Sequence, residues 1–111
     1  MYKVLNIKGK DVEFLANAAT PYRVKQVFHV DIMKAFFNAD KDGGIDTANI
    51  IPQLAYIMNM QALKKDMSTL NEESFFEWCE QFGAFDLAEC GEDIINIYLG
   101  NQTGESTSKK K

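Results

Sequence analysis

One apolar stretch, residues 50–63, constrains the fold of this chain more than any other feature of its sequence. Ten of its fourteen residues are apolar. The stretch is shorter than the roughly 20 residues that a helix needs to span a bilayer. A helix this apolar is buried on most of its surface. The stretch therefore predicts a central core helix or the seam of an oligomer, running from about Thr47 to Lys65, with Pro52 tolerated in or near its first turn.

The residues before this stretch predict a β-hairpin and the start of a helix. Residues 2–8 and 12–18 have the character of two short strands, because apolar and polar side chains alternate in the second of them. Gly9 suits the turn between them, since glycine adopts positive φ readily. Thr20 and Pro21 are typical of a helix N-terminus, with Thr20 as the N-cap.

The helix that starts at Thr20 is predicted to continue to about residue 37 and to be apolar on two sides. A main stripe faces the core, and a second stripe on the far side consists of Val30, Met33 and Phe37. A helix with two apolar faces is sandwiched inside the fold or between subunits. Asp31 falls within the main stripe and is expected to be partly exposed and to pair with Lys34.

Two further helices are predicted in the last third of the chain. Asn71 is the expected N-cap of one that Gly83 ends, and Asp86 begins another that ends before Gly100. Their inward positions are Phe75, Trp78, Cys79, Phe82, Leu87, Cys90, Ile94, Ile97 and Tyr98. The sequence thus predicts a mainly helical α+β fold, with the N-terminal hairpin packed on a bundle of about four α-helices.

The predicted domain organisation is simple. Residues 1–100 are expected to form a single domain, with the β-hairpin at 2–18 and the helical bundle at 20–100. Residues 101–111 are polar and end in three lysines, a composition that cannot bury a core. They predict a flexible, disordered C-terminal tail.

Charge is distributed unevenly along the chain. Residues 1–65 hold nine Lys or Arg and six acids, whereas residues 66–100 hold nine acids and no Lys or Arg. Such asymmetry favours head-to-tail self-association or a basic partner, and a solvated acidic face is the plainer interpretation. A pI of 4.9 and scattered basic residues argue against nucleic-acid binding.

No motif for catalysis or for a cofactor is present. Cys79 and Cys90 are not spaced as a CxxC pair and His29 is far from both in sequence, so no zinc site is indicated. The chain has no Walker loop, no GxGxxG and no nucleophile elbow. We therefore expect a protein that is not an enzyme and that binds no metal or cofactor. No apolar signal segment follows Met1, so we expect it to stay in the compartment where it is made.

Residues 40–46, Asp-Lys-Asp-Gly-Gly-Ile-Asp, resemble the start of an EF-hand calcium loop. That loop requires an oxygen ligand at position 5, glycine at position 6 and glutamate at position 12. Counted from Asp40, these positions hold Gly44, Ile45 and Ile51. An acidic, glycine-rich turn is therefore expected, and a calcium-responsive module is the weakest of the functional alternatives.

Several segments resemble the tail assembly chaperones of long-tailed, siphovirus-type phages and prophages of Gram-positive bacteria. The distinctive part is the hairpin segment followed by Asn-Ala-x-Thr-Pro-x-Arg at 17–23. The resemblance covers about half of the chain, at both ends, whereas residues 38–70 carry no motif of the family. The segments are residues 2–11, 14–18, 20–23, 75–82 and 93–101.

The resemblance implies a small protein of the bacterial host cytoplasm that is absent from the mature virion. Such proteins coat the long helical tape measure protein, keep it soluble and help the tail tube polymerise around it. The implied partners are the tape measure protein, further copies of the chain and the major tail protein. The family has no catalytic residues, and many members also occur in a longer, frameshifted form. Residues 108–111, with their A-rich lysine codons, suit such a frameshift.

The family's binding surface is not marked by a motif, so the candidate interface rests on the residues themselves. It consists of the second stripe, Val30, Met33 and Phe37, and of a methionine-rich face formed by Met58 and Met60. Flexible methionines suit surfaces that bind variable partners, and apolar helix faces accept helical clients. The alternative function is an acidic adaptor or regulatory domain with one fixed partner.

Overall fold

A computed structural model describes residues 1–37 and 47–100, with side chains for 1–35 and 50–100. The described chain is a two-stranded antiparallel hairpin followed by helices, which confirms the predicted α+β fold. The loop at 40–46 and the tail at 101–111 lie outside the described residues. The elements are β1 (Tyr2–Ile7), β2 (Lys10–Leu15), α1 (Thr20–Phe28), α2 (Ile32–Phe37), α3 (Thr47–Ala62), α4 (Glu72–Cys79), α5 (Asp86–Glu89) and α6 (Gly91–Leu99), with a 3₁₀ turn at Met67–Thr69 between α3 and α4.

The hairpin is tighter than predicted. Tyr2 pairs with Leu15 and Ile7 pairs with Lys10, which leaves only Lys8 and Gly9 in the turn. Both turn residues have positive φ, at 53° and 84°, as two-residue hairpin turns that match the strand twist require. The predicted second strand at 12–18 was too long at its end, because β2 ends at Leu15 and the chain turns there toward α1.

Helix α3 is the centre of the fold, as one of the two interpretations of its sequence predicted. It contacts β2 and helices α1, α4, α5 and α6, and most of its described side chains are buried. Those buried side chains are Ile50, Ile51, Leu54, Ala55, Tyr56, Ile57, Met58, Asn59, Met60 and Gln61. In the described ranges, no helix is both long and apolar enough to cross a membrane.

Helix α3 ends three residues earlier than predicted. Lys64 has φ of 57°, and the amide of Lys65 donates to the carbonyl of Met60 at 3.0 Å. This is the pattern of a Schellman motif, in which one left-handed residue ends the helix. Pro52 is the sixth residue of α3 and so lies in its second turn.

The predicted helix over 20–37 is broken into two. His29 has φ of 61° and its amide donates to the carbonyl of Lys25 at 2.8 Å, which ends α1. The carboxylate of Asp31 then accepts from the amide of Lys34 at 2.9 Å at the start of α2. Asp31 and Lys34 therefore interact as expected, but the partner of the carboxylate is the backbone amide of Lys34, so the contact is a helix N-cap.

Thr20 is not the N-cap of α1, contrary to the sequence prediction. Ala19 occupies that position, and Thr20 is the first helical residue, with no exposed surface. Its hydroxyl accepts from the amide of Asn17 at 3.0 Å and from the side chain of Gln61 at 2.9 Å. The hydroxyl therefore joins α1 to α3 instead of capping its own helix.

The N-cap predicted for α4 is confirmed. Asn71 Oδ1 accepts from the amide of Ser74 at 2.8 Å, and Ser74 Oγ accepts from the amide of Asn71 at 3.0 Å, which is a capping box. The helix ends at Cys79, well before Gly83. The last predicted helix is split at Cys90, whose φ and ψ of −102° and 17° separate α5 from α6.

Candidate interaction surface

Among the predicted interface residues, the described side chains do not form one exposed surface. Val30 is partly buried against the core in the break between α1 and α2, and Met33 is 44% exposed. The side chain of Phe37 lies outside the part of the chain that the structure describes. Met58 has no exposed surface and Met60 is 9% exposed. The expectation of an exposed Met58 and Met60 face is thus corrected, because α3 is enclosed by the hairpin and four helices.

An apolar groove of about 390 Å³ lies on another part of the surface, between α3, the end of α4 and α5. We call it the α4–α5 groove. All of its lining residues are apolar side chains or glycine, and several of them are exposed to solvent. They are Ile51, Pro52, Cys79, Phe82, Gly83, Ala84, Leu87 and Ala88.

The groove arises from the short connection between α4 and α5. The amide of Phe82 donates to the carbonyl of Cys79 at 3.0 Å, which turns the chain after α4. The amide of Gly83 then donates to the carboxylate of Asp86 at 2.7 Å, which fixes the entry to α5. Small residues at 83, 84 and 88 leave space between these two turns, so the groove stays open.

Two strongly exposed phenylalanines are close in the sequence to residues that line the groove. Phe76 is 60% exposed and lies one turn before Cys79 on the same face of α4, and Phe85, next to Ala84, is 74% exposed. Contiguous exposed apolar surface is typical of a binding site, whereas single exposed residues are ordinary. The other large apolar residues that the structure shows exposed lie on other parts of the chain, two of them on β1. They are Tyr2, Val4, Tyr22, Met33, Leu63 and Leu99.

Acidic residues adjoin the lining residues of the groove in the sequence, and we call two of them, Glu80 and Asp86, the acidic rim. Asp86 bonds to the groove residue Gly83, Glu80 follows Cys79, and Glu89 follows Ala88 in the sequence. Glu89 forms an ion pair with Lys8 of the hairpin turn at 3.4 Å, with both side chains mostly exposed. These acids belong to the stretch 66–100, which contains no Lys or Arg, so the rim favours a basic partner.

One wall of the groove is connected to the single tryptophan of the chain. The ring centroids of Phe82 and Trp78 are 5.0 Å apart in an edge arrangement. Trp78 is buried and also packs on Tyr56, at 5.4 Å. A ligand that moves Phe82 would therefore alter the surroundings of the one indole in the sequence.

The two cysteines are free and partly buried. Burial raises the pKa of the Cys79 thiol and, with smaller contributions from neighbouring acids, that of Cys90. Both thiols are therefore mainly protonated and weakly nucleophilic near neutral pH. In the described residues, no group of three or more His, Cys, Asp or Glu could hold a metal ion.

Sequence reasoning missed the groove because its lining comes from three separate segments. Ile51 and Pro52 were assigned to the core helix, and Cys79 and Leu87 to inward faces of their own helices. One local signal was present, the small residues Gly83 and Ala84 next to Phe85, in a turn between two predicted helices. A comparison of the chain with known protein families, curated proteins and solved structures finds no match.

Proposed function

We propose that the protein is a phage tail assembly chaperone. It binds and solubilises the tape measure protein in the bacterial host cytoplasm and promotes assembly of the tail tube. The resemblance of its hairpin and C-terminal segments to that family suggests this role. The structural observation that supports it best is the α4–α5 groove, an apolar surface open to solvent.

A chaperone of this kind needs apolar surface that does not belong to its own core. A long helical client exposes apolar side chains until the tube forms around it, and many small copies can cover them. In this chain the core is built on α3, and the exposed groove residues Gly83, Ala84 and Ala88 are peripheral to it. The domain can therefore stay folded while the groove is empty.

Self-association belongs to the same proposal. Copies that contact each other through exposed apolar residues, among them Met33 and Phe85, shield these surfaces until a client displaces them. The uneven charge of the chain favours contacts between the basic first half of one copy and the acidic second half of another. Light scattering of the protein alone measures this self-association directly.

The test is co-expression with the long helical protein encoded just downstream, followed by size exclusion with light scattering. We expect several copies of this chain to co-elute with each client molecule, and the client to be insoluble alone. The variant Ala84→Glu should abolish co-elution, because it places a charge in the groove. Ala18→Glu, at an exposed alanine in the turn between β2 and α1, is the matched control. A monomer that leaves the client aggregated would instead favour an adaptor with one fixed partner.

A further inference from the structure

We propose that the α4–α5 groove binds a basic amphipathic helix, whose apolar residues enter the groove while lysines or arginines beside them face the acidic rim. The inference rests on the proposed function only for the identity of the protein that carries this helix. It names the chemistry of the bound segment, which the resemblance to the chaperone family does not supply.

The volume of the groove limits how many apolar side chains of a bound helix can enter it. Truncating a buried leucine in another protein leaves a cavity of ~150 Å³, so the about 390 Å³ available here accommodates two large aliphatic side chains. Residues three or four positions apart on a helix are about 5–6 Å apart at Cβ. Two apolar side chains one turn apart therefore suit the groove. The absence of large side chains at Gly83, Ala84 and Ala88 lets a helix approach closely.

The groove favours a helix over an extended segment. Its walls are side chains of α3, α4 and α5 and the turn between the last two, and the amide of Gly83 is already bonded to Asp86. An extended partner would leave its own backbone groups without partners against this apolar surface. A helix satisfies its backbone internally and offers side chains only, which is the usual mode of helix-in-groove recognition.

The rim selects the charge of the partner. In the sequence, Glu80 and Asp86 lie on either side of the apolar turn at 82–85, and the Asp86 carboxylate accepts from the amide of the groove residue Gly83 at 2.7 Å. Glu89 is instead paired with Lys8, and both residues line a separate depression beside the hairpin turn. Lysines or arginines on the bound helix gain attraction to Glu80 and Asp86, and acidic residues at those positions are repelled. Because these acids are near the surface, the preference depends on ionic strength.

The experiment uses the full chain and three synthetic helical peptides that lack tryptophan. The first carries two leucines one turn apart flanked by lysines, the second replaces the lysines with glutamates, and the third replaces the leucines with serines. Binding is followed by the fluorescence of Trp78, which packs on the groove residue Phe82. At low salt we expect the lysine peptide to bind about tenfold more tightly than the glutamate peptide. We expect this ratio to shrink in high salt, and the serine peptide not to bind.

Two variants separate the apolar and the electrostatic parts. Ala84→Glu should prevent binding of the lysine peptide although it adds a negative charge, because the longer side chain occupies the space that the leucines enter. Ala18→Glu should bind the peptide like the unmodified chain. Glu80→Lys should bring the affinities for the lysine and glutamate peptides closer together. Peptides with the two leucines should still bind this variant, and the serine peptide should not. Circular dichroism of each variant checks that the fold is retained.

The outcomes distinguish this inference from the proposed function. Equal binding of the lysine and glutamate peptides, or no binding of either, overturns the inference even if the client co-elutes with the chain. Binding of the lysine peptide that Ala84→Glu does not weaken also overturns it, because the site then lies elsewhere. Salt-dependent binding that Ala84→Glu abolishes supports the inference, even if the tape measure client fails to co-elute and the proposed function is lost.

Discussion

The indole nitrogen of Trp78 donates a hydrogen bond to Oδ1 of Asn59 over 2.9 Å inside the core. The same amide donates through Nδ2 to the carbonyl of Glu13 at 2.7 Å. Two residues further along α3, the side chain of Gln61 donates to the carbonyl of Leu15 at 2.6 Å. Two side-chain amides of the central helix thus donate hydrogen bonds to backbone carbonyls of β2. A two-stranded hairpin is marginal alone, and these contacts attach it to the helices.

The substitution Asn59→Leu should lower the free energy of unfolding by about 2–4 kcal/mol. It removes both hydrogen bonds of the Asn59 side chain and leaves the buried indole N–H of Trp78 and the carbonyl of Glu13 without partners, at a cost of about 1–3 kcal/mol each. Leucine is close to asparagine in size, so a cavity contributes little. Urea unfolding followed by circular dichroism measures the change.

Trp78→Phe provides the control for this prediction through a double-mutant cycle. Phenylalanine has no N–H, so in the Asn59→Leu background the buried indole donor is no longer left unpaired. Trp78→Phe should therefore cost less stability in that background than in the unmodified chain. If the two costs are equal, the hydrogen bond between Asn59 and Trp78 contributes nothing to stability.

Substitution by aspartate should lower the free energy of unfolding strongly at Met58 and hardly at all at Met33. Met58→Asp places a carboxylate at a position with no exposed surface and should cost on the order of 4 kcal/mol, enough to unfold a marginally stable domain. Met33→Asp, at an exposed position, should change stability by less than about 0.5 kcal/mol. Thermal unfolding compares them. A folded Met58→Asp protein with altered oligomer size would restore Met58 as an interface residue.

Lys64→Gly should stabilise the protein. Lys64 has φ of 57° at the end of α3, a left-handed conformation that costs a residue with a side chain roughly 1 kcal/mol and glycine almost nothing. We expect a gain of about 0.5–1 kcal/mol in the free energy of unfolding. Lys65→Gly is the matched control, because Lys65 does not have positive φ, and it should not stabilise. A loss of stability in Lys64→Gly would mean that its side chain makes contacts that outweigh the strain.

Stability should fall as the pH rises into the alkaline range. Burial raises the pKa of Tyr56 and of Tyr98, as it does for the thiols of Cys79 and Cys90. The folded state then holds protons that the unfolded chain releases from about pH 8.5 for cysteine and about pH 10 for tyrosine. The contribution of these groups is complete below those values and is lost above them.

The urea midpoint measured between pH 7 and pH 11 tests this dependence. Tyr56→Phe should make the midpoint less sensitive to pH above about 10, because it removes one of the groups whose pKa is raised. It should also lower stability at neutral pH, since the Tyr56 hydroxyl is 2.6 Å from Ser74 Oγ. A midpoint that is the same at pH 7 and pH 11 would contradict the prediction.

The local signals in the sequence were reliable where a residue acts on its own neighbours. Asn71 caps α4 through the amide of Ser74, and Gly100 ends α6 with φ of 70°. Gly9 lies in the hairpin turn. Thr20 shows the limit of such signals, because its hydroxyl accepts from Gln61, 41 residues away in the chain. Nothing in the residues around Thr20 distinguishes a capping hydroxyl from one that joins two helices.

Helix continuity was the main error in the fold prediction. Apolar residues keep helical spacing through His29 and through Cys90, yet the helix is interrupted at both positions. At His29 the backbone adopts left-handed φ, which periodicity does not register. Exposure was the main error in the predicted interface, since hydrophobic pattern indicates that Met58 and Met60 are apolar without indicating what covers them.

The sequence by itself determined the hairpin, the apolar central helix and the caps at Asn71 and Gly100, because these depend on interactions within a few residues. The tertiary structure alone decided which apolar residues became core and which became surface. Packing the hairpin and four helices around α3 leaves no exposed surface on Met58, while the short turn at 80–85 leaves Phe85 exposed beside an open groove. Burial depends on contacts between segments far apart in the chain, and no local pattern encodes them.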